Sequence, residues 1–178
     1  MDLITKNYKE TIIKCKNNKN CHGDMLIIHG FGTNHWHLYK LALKLSENFN
    51  IYLIDLPGHG DNIDGFNKKH MKITFFVEYV IEYIKHKQFK NLFLMGHSMG
   101  GGICCGVASI IPETIKKLIL ICPANPGSIA AGPKLLKMFF PKTWQDNLKF
   151  QKLLYHPNNY ENFIKDEVWL KNHNDNFL

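Results

Sequence analysis

A chain of 178 residues is enough for one domain and short for two. Its hydrophobic fraction of 45% is that of a globular protein and excludes a disordered or collagen-like chain. The formal net charge is +7, but every basic side chain is a scattered lysine; without arginine forks to read phosphates and guanine edges, no nucleic-acid partner is expected.

The first residues, MDLITK, are followed by no apolar leader segment, and no stretch has the length of apolar residues a bilayer requires. No transmembrane segment and a cytoplasmic location are therefore expected. Residues 8–15 have mixed strand character, and 17–23 form a polar turn. Met25 to Ile28 is a short buried strand ending at His29-Gly30. Asn34 to Asn48 carries Trp36, Leu38, Leu41, Ala42 and Leu45 at near-helical spacing. Ile51 to Ile54 is a second buried strand, ending at Asp55, and the loop Leu56 to Asn67 is rich in Gly and Asp. Thr74 to His86 is an apolar helix, Asn91 to Met95 a third strand, Ser98 to Ile110 a helix of small residues, and Lys117 to Cys122 a fourth strand.

Continuous apolar strands alternating with helices predict an α/β fold: a mostly parallel sheet with helices on both faces. Right-handed crossovers then gather the strand C-terminal ends on one edge, where ligands bind. His29, Asp55 and Ser98 all fall at such ends. After Pro123 the pattern stops. The expected division is therefore 1–125 for the sheet domain and 126–178 for a partial helical cap, with the short apolar helix LLKMFF in it and Trp144 and Trp169 packing there. The five cysteines lack the paired spacing of a zinc site. Cys104, Cys105 and Cys122 are expected to be small buried hydrophobes. Cys15 and Cys21 flank a polar turn, close enough in sequence to pair.

The chemistry concentrates in Gly96-His97-Ser98-Met99-Gly100-Gly101, between a strand and a small-residue helix. A sharp strand-to-helix turn strains the serine backbone, demands small neighbours and lifts the hydroxyl above the sheet at a helix N-terminus. A second element, His29-Gly30-Phe31-Gly32, follows the strand MLII. Here an amide hydrogen can meet a developing oxyanion, together with the amide after the serine. Phe31 and Met99 are the expected donors, and one such donor contributes about 3 kcal/mol in the transition state. His29, Gly30 and His97 are expected to support this loop. The third element, Asp55-Leu56-Pro57-Gly58-His59-Gly60, is expected to be structural.

These three motifs, in this order, resemble the α/β-hydrolase superfamily, particularly its esterases and lipases, over about Met25 to Asn125. The resemblance implies Ser98 as nucleophile, Phe31 and Met99 as oxyanion donors, a helical cap beginning near Gly127, an acyl-enzyme mechanism without metal or cofactor, and a small ester or lipid substrate. The LLKMFF helix would face an acyl chain if it forms a lid. The family places its acid and histidine after the serine, in that chain order. Asp146, Asp166, Asp175, His156 and His173 follow Ser98, but none sits after a strand with a tight loop, and none is assigned. Asn125 stands where some lipases carry the acid.

The chain is accordingly expected to be an incomplete, C-terminally truncated α/β-hydrolase fold. A catalytically impaired fragment or a non-catalytic binding module is the alternative to an active serine hydrolase. The strand KLILIC would then be an exposed apolar edge, favouring self-association. Among the other histidines, His59 is expected to pack its loop, while His35 and His37 fit either a pocket mouth or plain surface.

Overall fold

Five strands form one sheet in the order β1-β3-β2-β4-β5: β1 (Glu10–Ile13), β2 (Asp24–Ile28), β3 (Asn50–Ile54), β4 (Leu92–His97) and β5 (Ile115–Ile121). The computed structural model describes residues 8–17, 19–64 and 66–125, together with residues 127, 143, 145, 146, 149, 150 and 152. Four strands are parallel; β1 runs antiparallel on the outer side of β3, with Glu10 opposite Ile54.

The unbroken apolar runs of the inner strands are explained by burial on both faces. Leu26, Ile28, Tyr52, Ile54 and Leu94 face α2 (Ile73–His86) and α3 (Met99–Ile110). The alternate residues Met25, Ile27, Ile51, Leu53 and Met95 pack with Ala42 of α1 (Tyr39–Leu45) on the other face. In α2, Phe76, Val80, Tyr83 and Ile84 recur at helical spacing and are buried, so this helix is held by its stripe.

Chain order and sheet order together locate the crevice. From β2 the chain crosses outward through α1 to β3. It then returns over the sheet through α2 to β4, on the other side of β2, and continues outward through α3 to β5. The direction reverses between β2 and β4, and at such a switch point the strand C-terminal ends leave a crevice. Those ends carry His29-Gly30 and His97-Ser98.

The structure departs from the expectations in three places: the segment 34–48, the exposure of Cys105 and Cys122, and the burial of His35. The segment 34–48 is a 3-10 turn, His35–Leu38, followed by a shorter α-helix, because Asn34 caps the turn by accepting the Trp36 amide. Cys105 and Cys122 are exposed. Cys105 lies off the stripe Ile103, Cys104 and Val107 that faces the sheet, and Cys122 leaves the last residue of an edge strand. His35 is no surface residue: only 5% of it is exposed. Cys15 and Cys21 are free thiols.

The chain divides into two units, Met1–Ala124 and Asn125–Leu178. The LLKMFF segment, Trp144, Trp169, His156, His173, Asp166 and Asp175 lie outside the described residues. Asp146 is described and exposed, accepting a hydrogen bond from Thr143. No helix among the described residues is long and apolar enough to cross a membrane.

Candidate active site

β4 ends at His97 and α3 begins at Met99, leaving Ser98 alone at the corner with φ 53° and ψ −120°. A side chain in that region costs about 1–3 kcal/mol and persists only where its surroundings hold it. Here the holding is explicit. The Ser98 amide donates to the Ile121 carbonyl at 2.9 Å, and its carbonyl accepts from Gly101 at 2.9 Å, Gly102 at 3.3 Å and Ala124 at 2.8 Å. The serine hydroxyl takes no part in capping the helix, and the residue is half-buried. The residue stands at the N-terminal, positive end of α3.

The glycines around it are required by close approach. A Cβ on Gly96 would lie 2.3 Å from the Gly100 carbonyl oxygen, and one on Gly100 would lie 2.4 Å from the carbonyl oxygens of Ile28 and His29. Both obstacles are backbone and cannot swing aside. The same packing brings the first and second motifs together: a Cβ on Gly30 would stand 3.2 Å from both the Ser98 Cβ and the His97 Nδ1.

His29 pins the loop after β2. The Leu56 amide donates to its Nε2 at 3.1 Å, so that nitrogen is unprotonated and Nδ1 carries the hydrogen, which it donates to the Gly30 carbonyl at 2.7 Å. Thr33 donates to the same carbonyl at 3.0 Å. Burial, then the neighbouring His59, with smaller contributions from His35 and His37, holds the His29 pKa well below its usual value. The ring is therefore neutral at physiological pH, as this bonding needs. Phe31, next in the loop, sets its ring edge-on to His59 at 5.7 Å, and His59 in turn packs on Phe76. The expectation that His59 packs its loop agrees with these contacts.

Asp55 organises the third motif. Its carboxylate is fully buried and accepts the His35 amide at 2.8 Å on one oxygen and the Asp61 amide at 2.9 Å on the other. The His35 Nδ1 lies 2.8 Å from the first oxygen but out of line for a hydrogen bond, while its Nε2 meets the Thr11 hydroxyl at 3.1 Å. The chain curls round the carboxylate through Gly60 at φ +54°, where a Cβ would lie 2.2 Å from the Asp55 oxygen. Sequence reading missed this role for His35, because no local spacing announces a contact across 20 residues.

The sequence-derived site residues are thus gathered at one edge of the sheet. Gly30 touches the Ser98 turn, His29 ties the loop that carries Phe31 to the third motif, and Met99 opens α3. Among the described residues no acceptor engages the Met99 amide. His97 faces His37 across a ring separation of 5.7 Å. No histidine occurs among the described residues after Ser98.

Comparison with known proteins gives a consistent picture. A family model for the alpha/beta hydrolase fold matches residues 25–166. A protein of Mycoplasma genitalium provisionally named esterase/lipase 2 is 32% identical over 127 residues, covering 70% of this chain and 47% of that protein. Its counterpart in Mycoplasma pneumoniae is 34% identical over 130 residues, covering 69% and 47%. The chain thus spans about half the length of these relatives. A solved hydrolase from Oleispira antarctica superimposes with a TM-score of 0.70 at 15% identity, over 95% of this chain and 68% of that one, which speaks to the fold.

Proposed function

This chain belongs to the alpha/beta hydrolase family, and on that footing we propose that it carries the nucleophile half of an esterase/lipase-type site. Ser98 attacks the carbonyl carbon of a carboxylic ester or lipid. The amide hydrogens of Phe31 and Met99 hold the oxyanion of the tetrahedral intermediate. The alcohol leaves, an acyl group remains on the Ser98 oxygen, and water releases it. His29, Gly30 and His97 keep the two amide-bearing segments in place. The ester/lipid substrate class rests on what the relatives are named for.

The observation that carries this reading is the backbone of Ser98. A non-glycine residue is held at φ 53° by four hydrogen bonds from and to its own peptide groups, while its hydroxyl is left out of helix capping. A strained corner maintained at this expense is expected where a serine oxygen has work to do. The neutral, buried His29 supports it, since a charged ring there would break the bond that joins the Phe31 loop to Leu56.

Hydrolysis of short-chain p-nitrophenyl esters by the full chain tests the proposal. Turnover that disappears in Ser98→Ala is expected. No turnover in the folded wild type, or equal turnover in both proteins, overturns it.

A further inference from the structure

The loop that carries Phe31 is tied at both ends to one pair of consecutive residues. At its start the Leu56 amide donates to the His29 Nε2 at 3.1 Å. At its end the His35 amide donates to the Asp55 carboxylate at 2.8 Å. From this double tie we propose that Asp55 is a positioning residue for the oxyanion hole: its carboxylate fixes where the Phe31 amide stands relative to Ser98, given the esterase reading in which that amide is a donor.

One tie would leave residues 30–34 free to swing about it; two ties fix both their place and their direction. The second is the stronger, because its acceptor is charged. Its anchor is itself immobile. The Asp55 amide donates to the Lys9 carbonyl at 2.9 Å, and its carbonyl accepts the Asn62 side chain at 2.9 Å. The same Asn62 nitrogen donates to the Tyr79 hydroxyl of α2 at 2.9 Å. Asp55 is thus held from the residue ahead of β1, from its own loop and from a helix.

The position calls for a carboxylate. Two amides converge on it, His35 on one oxygen and Asp61 on the other, and both oxygens must accept. Asparagine could accept only one of them and would turn its amino group on the other. A fully buried charge is costly, so it is kept where it holds something in place. The far side of the loop leaves little play, since a Cβ on Gly30 would already stand 3.2 Å from the Ser98 Cβ. A misplacement of about 1 Å at such a site costs on the order of 10²-fold in rate.

Comparing His35→Pro with His35→Ala isolates the tie. Both variants lose the imidazole, and only proline also loses the amide hydrogen that Asp55 accepts. Proline suits the place, because His35 opens its helical turn and Asn34 before it is extended at φ −138° and ψ −179°. With p-nitrophenyl esters, kcat per active serine is expected to be at least about tenfold lower in His35→Pro than in His35→Ala, with KM within about twofold, since the oxyanion forms only after the substrate binds. Counting active serines by total fluorophosphonate uptake removes any loss due to unfolded molecules. Asp55→Asn is expected to lower kcat per active serine in the same way. Equal kcat in the two His35 variants, or a difference carried by KM alone, overturns the positioning role. Nitrogen-15 relaxation reads the loop without any activity: the Phe31 amide order parameter is expected near 0.85 in the wild type and His35→Ala, and below about 0.6 in His35→Pro. A Phe31 amide equally rigid in both variants overturns the proposal whether or not the ester turns over. A wild type that neither labels nor turns over counts against the esterase reading, and the relaxation comparison still decides whether Asp55 holds the loop.

Discussion

The Ala124 amide donates to the Ser98 carbonyl at 2.8 Å, so the chain leaving β5 latches the corner that β4 and α3 create. The corner is therefore a tertiary structure, held from the neighbouring strand as well as from its own helix.

Strain at Ser98 has a signature in stability. Replacing Ala by Gly ordinarily destabilises by about 0.5–1 kcal/mol through chain entropy. At φ 53° the Cβ is the source of the cost, so the sign reverses. Ser98→Gly is expected to be more stable than Ser98→Ala by about 1 kcal/mol in urea unfolding, within the range for relieved strain. A less stable glycine variant contradicts a strained corner.

Gly100→Ala is expected to be far more damaging than its single methyl suggests. The new carbon would meet the carbonyl oxygens of Ile28 and His29 at 2.4 Å, both backbone. Overpacking of this kind costs about 1–3 kcal/mol or more, and any relief must part β2 from α3. Loss of Ser98 reactivity together with a lowered melting temperature is expected. A variant that melts and labels as the wild type does contradicts the packing described here.

Stability should fall in mild acid. The folded pKa of His29 is depressed by burial and by His59, with His35 and His37 adding and the Gly30 carbonyl opposing; the Asp55 carboxylate stands 3.9 Å from its Nε2. The unfolded chain, with an ordinary histidine pKa of about 6.5, therefore takes up the proton first. The contribution is complete above about pH 6.5 and is lost as pH falls below it, by at most about 1.4 kcal/mol per pH unit for each such histidine. His37 and His97, also lowered, act in the same direction. Urea unfolding between about pH 7.5 and 5.5 should show the loss, with a shallower slope in His29→Gln. Equal stability at both pH values contradicts a neutral buried His29.

The outer strand sets the behaviour in solution. β5 pairs with β4 on one side, and among the described residues no strand pairs with it on the other. Leu118 and Leu120 are 38% and 40% exposed there. Concentration-dependent self-association is expected by sedimentation velocity, reduced in Leu120→Lys because an edge lysine opposes pairing. A monodisperse monomer at high concentration contradicts this.

The sheet was legible because two-sided burial leaves continuous apolar runs such as MLII and NLFLM, and the Ser98 corner because its glycines cannot be substituted. The antiparallel pairing of β1 was not, since an edge strand with mixed burial carries no clear alternation. Nor was the burial of His35, which depends on a carboxylate 20 positions away, or the facing of His37 and His97, which depends on two chain segments meeting across the sheet's edge. Local pattern shows where a chain turns; it does not show which turns meet.

Fluorophosphonate labelling of the full chain, with the adduct mapped by mass spectrometry, tests the central claim most directly. One adduct on the Ser98 oxygen, absent in Ser98→Ala, is the predicted result. A cooperatively folded protein that takes up no label, or takes it up elsewhere and equally in Ser98→Ala, would contradict it.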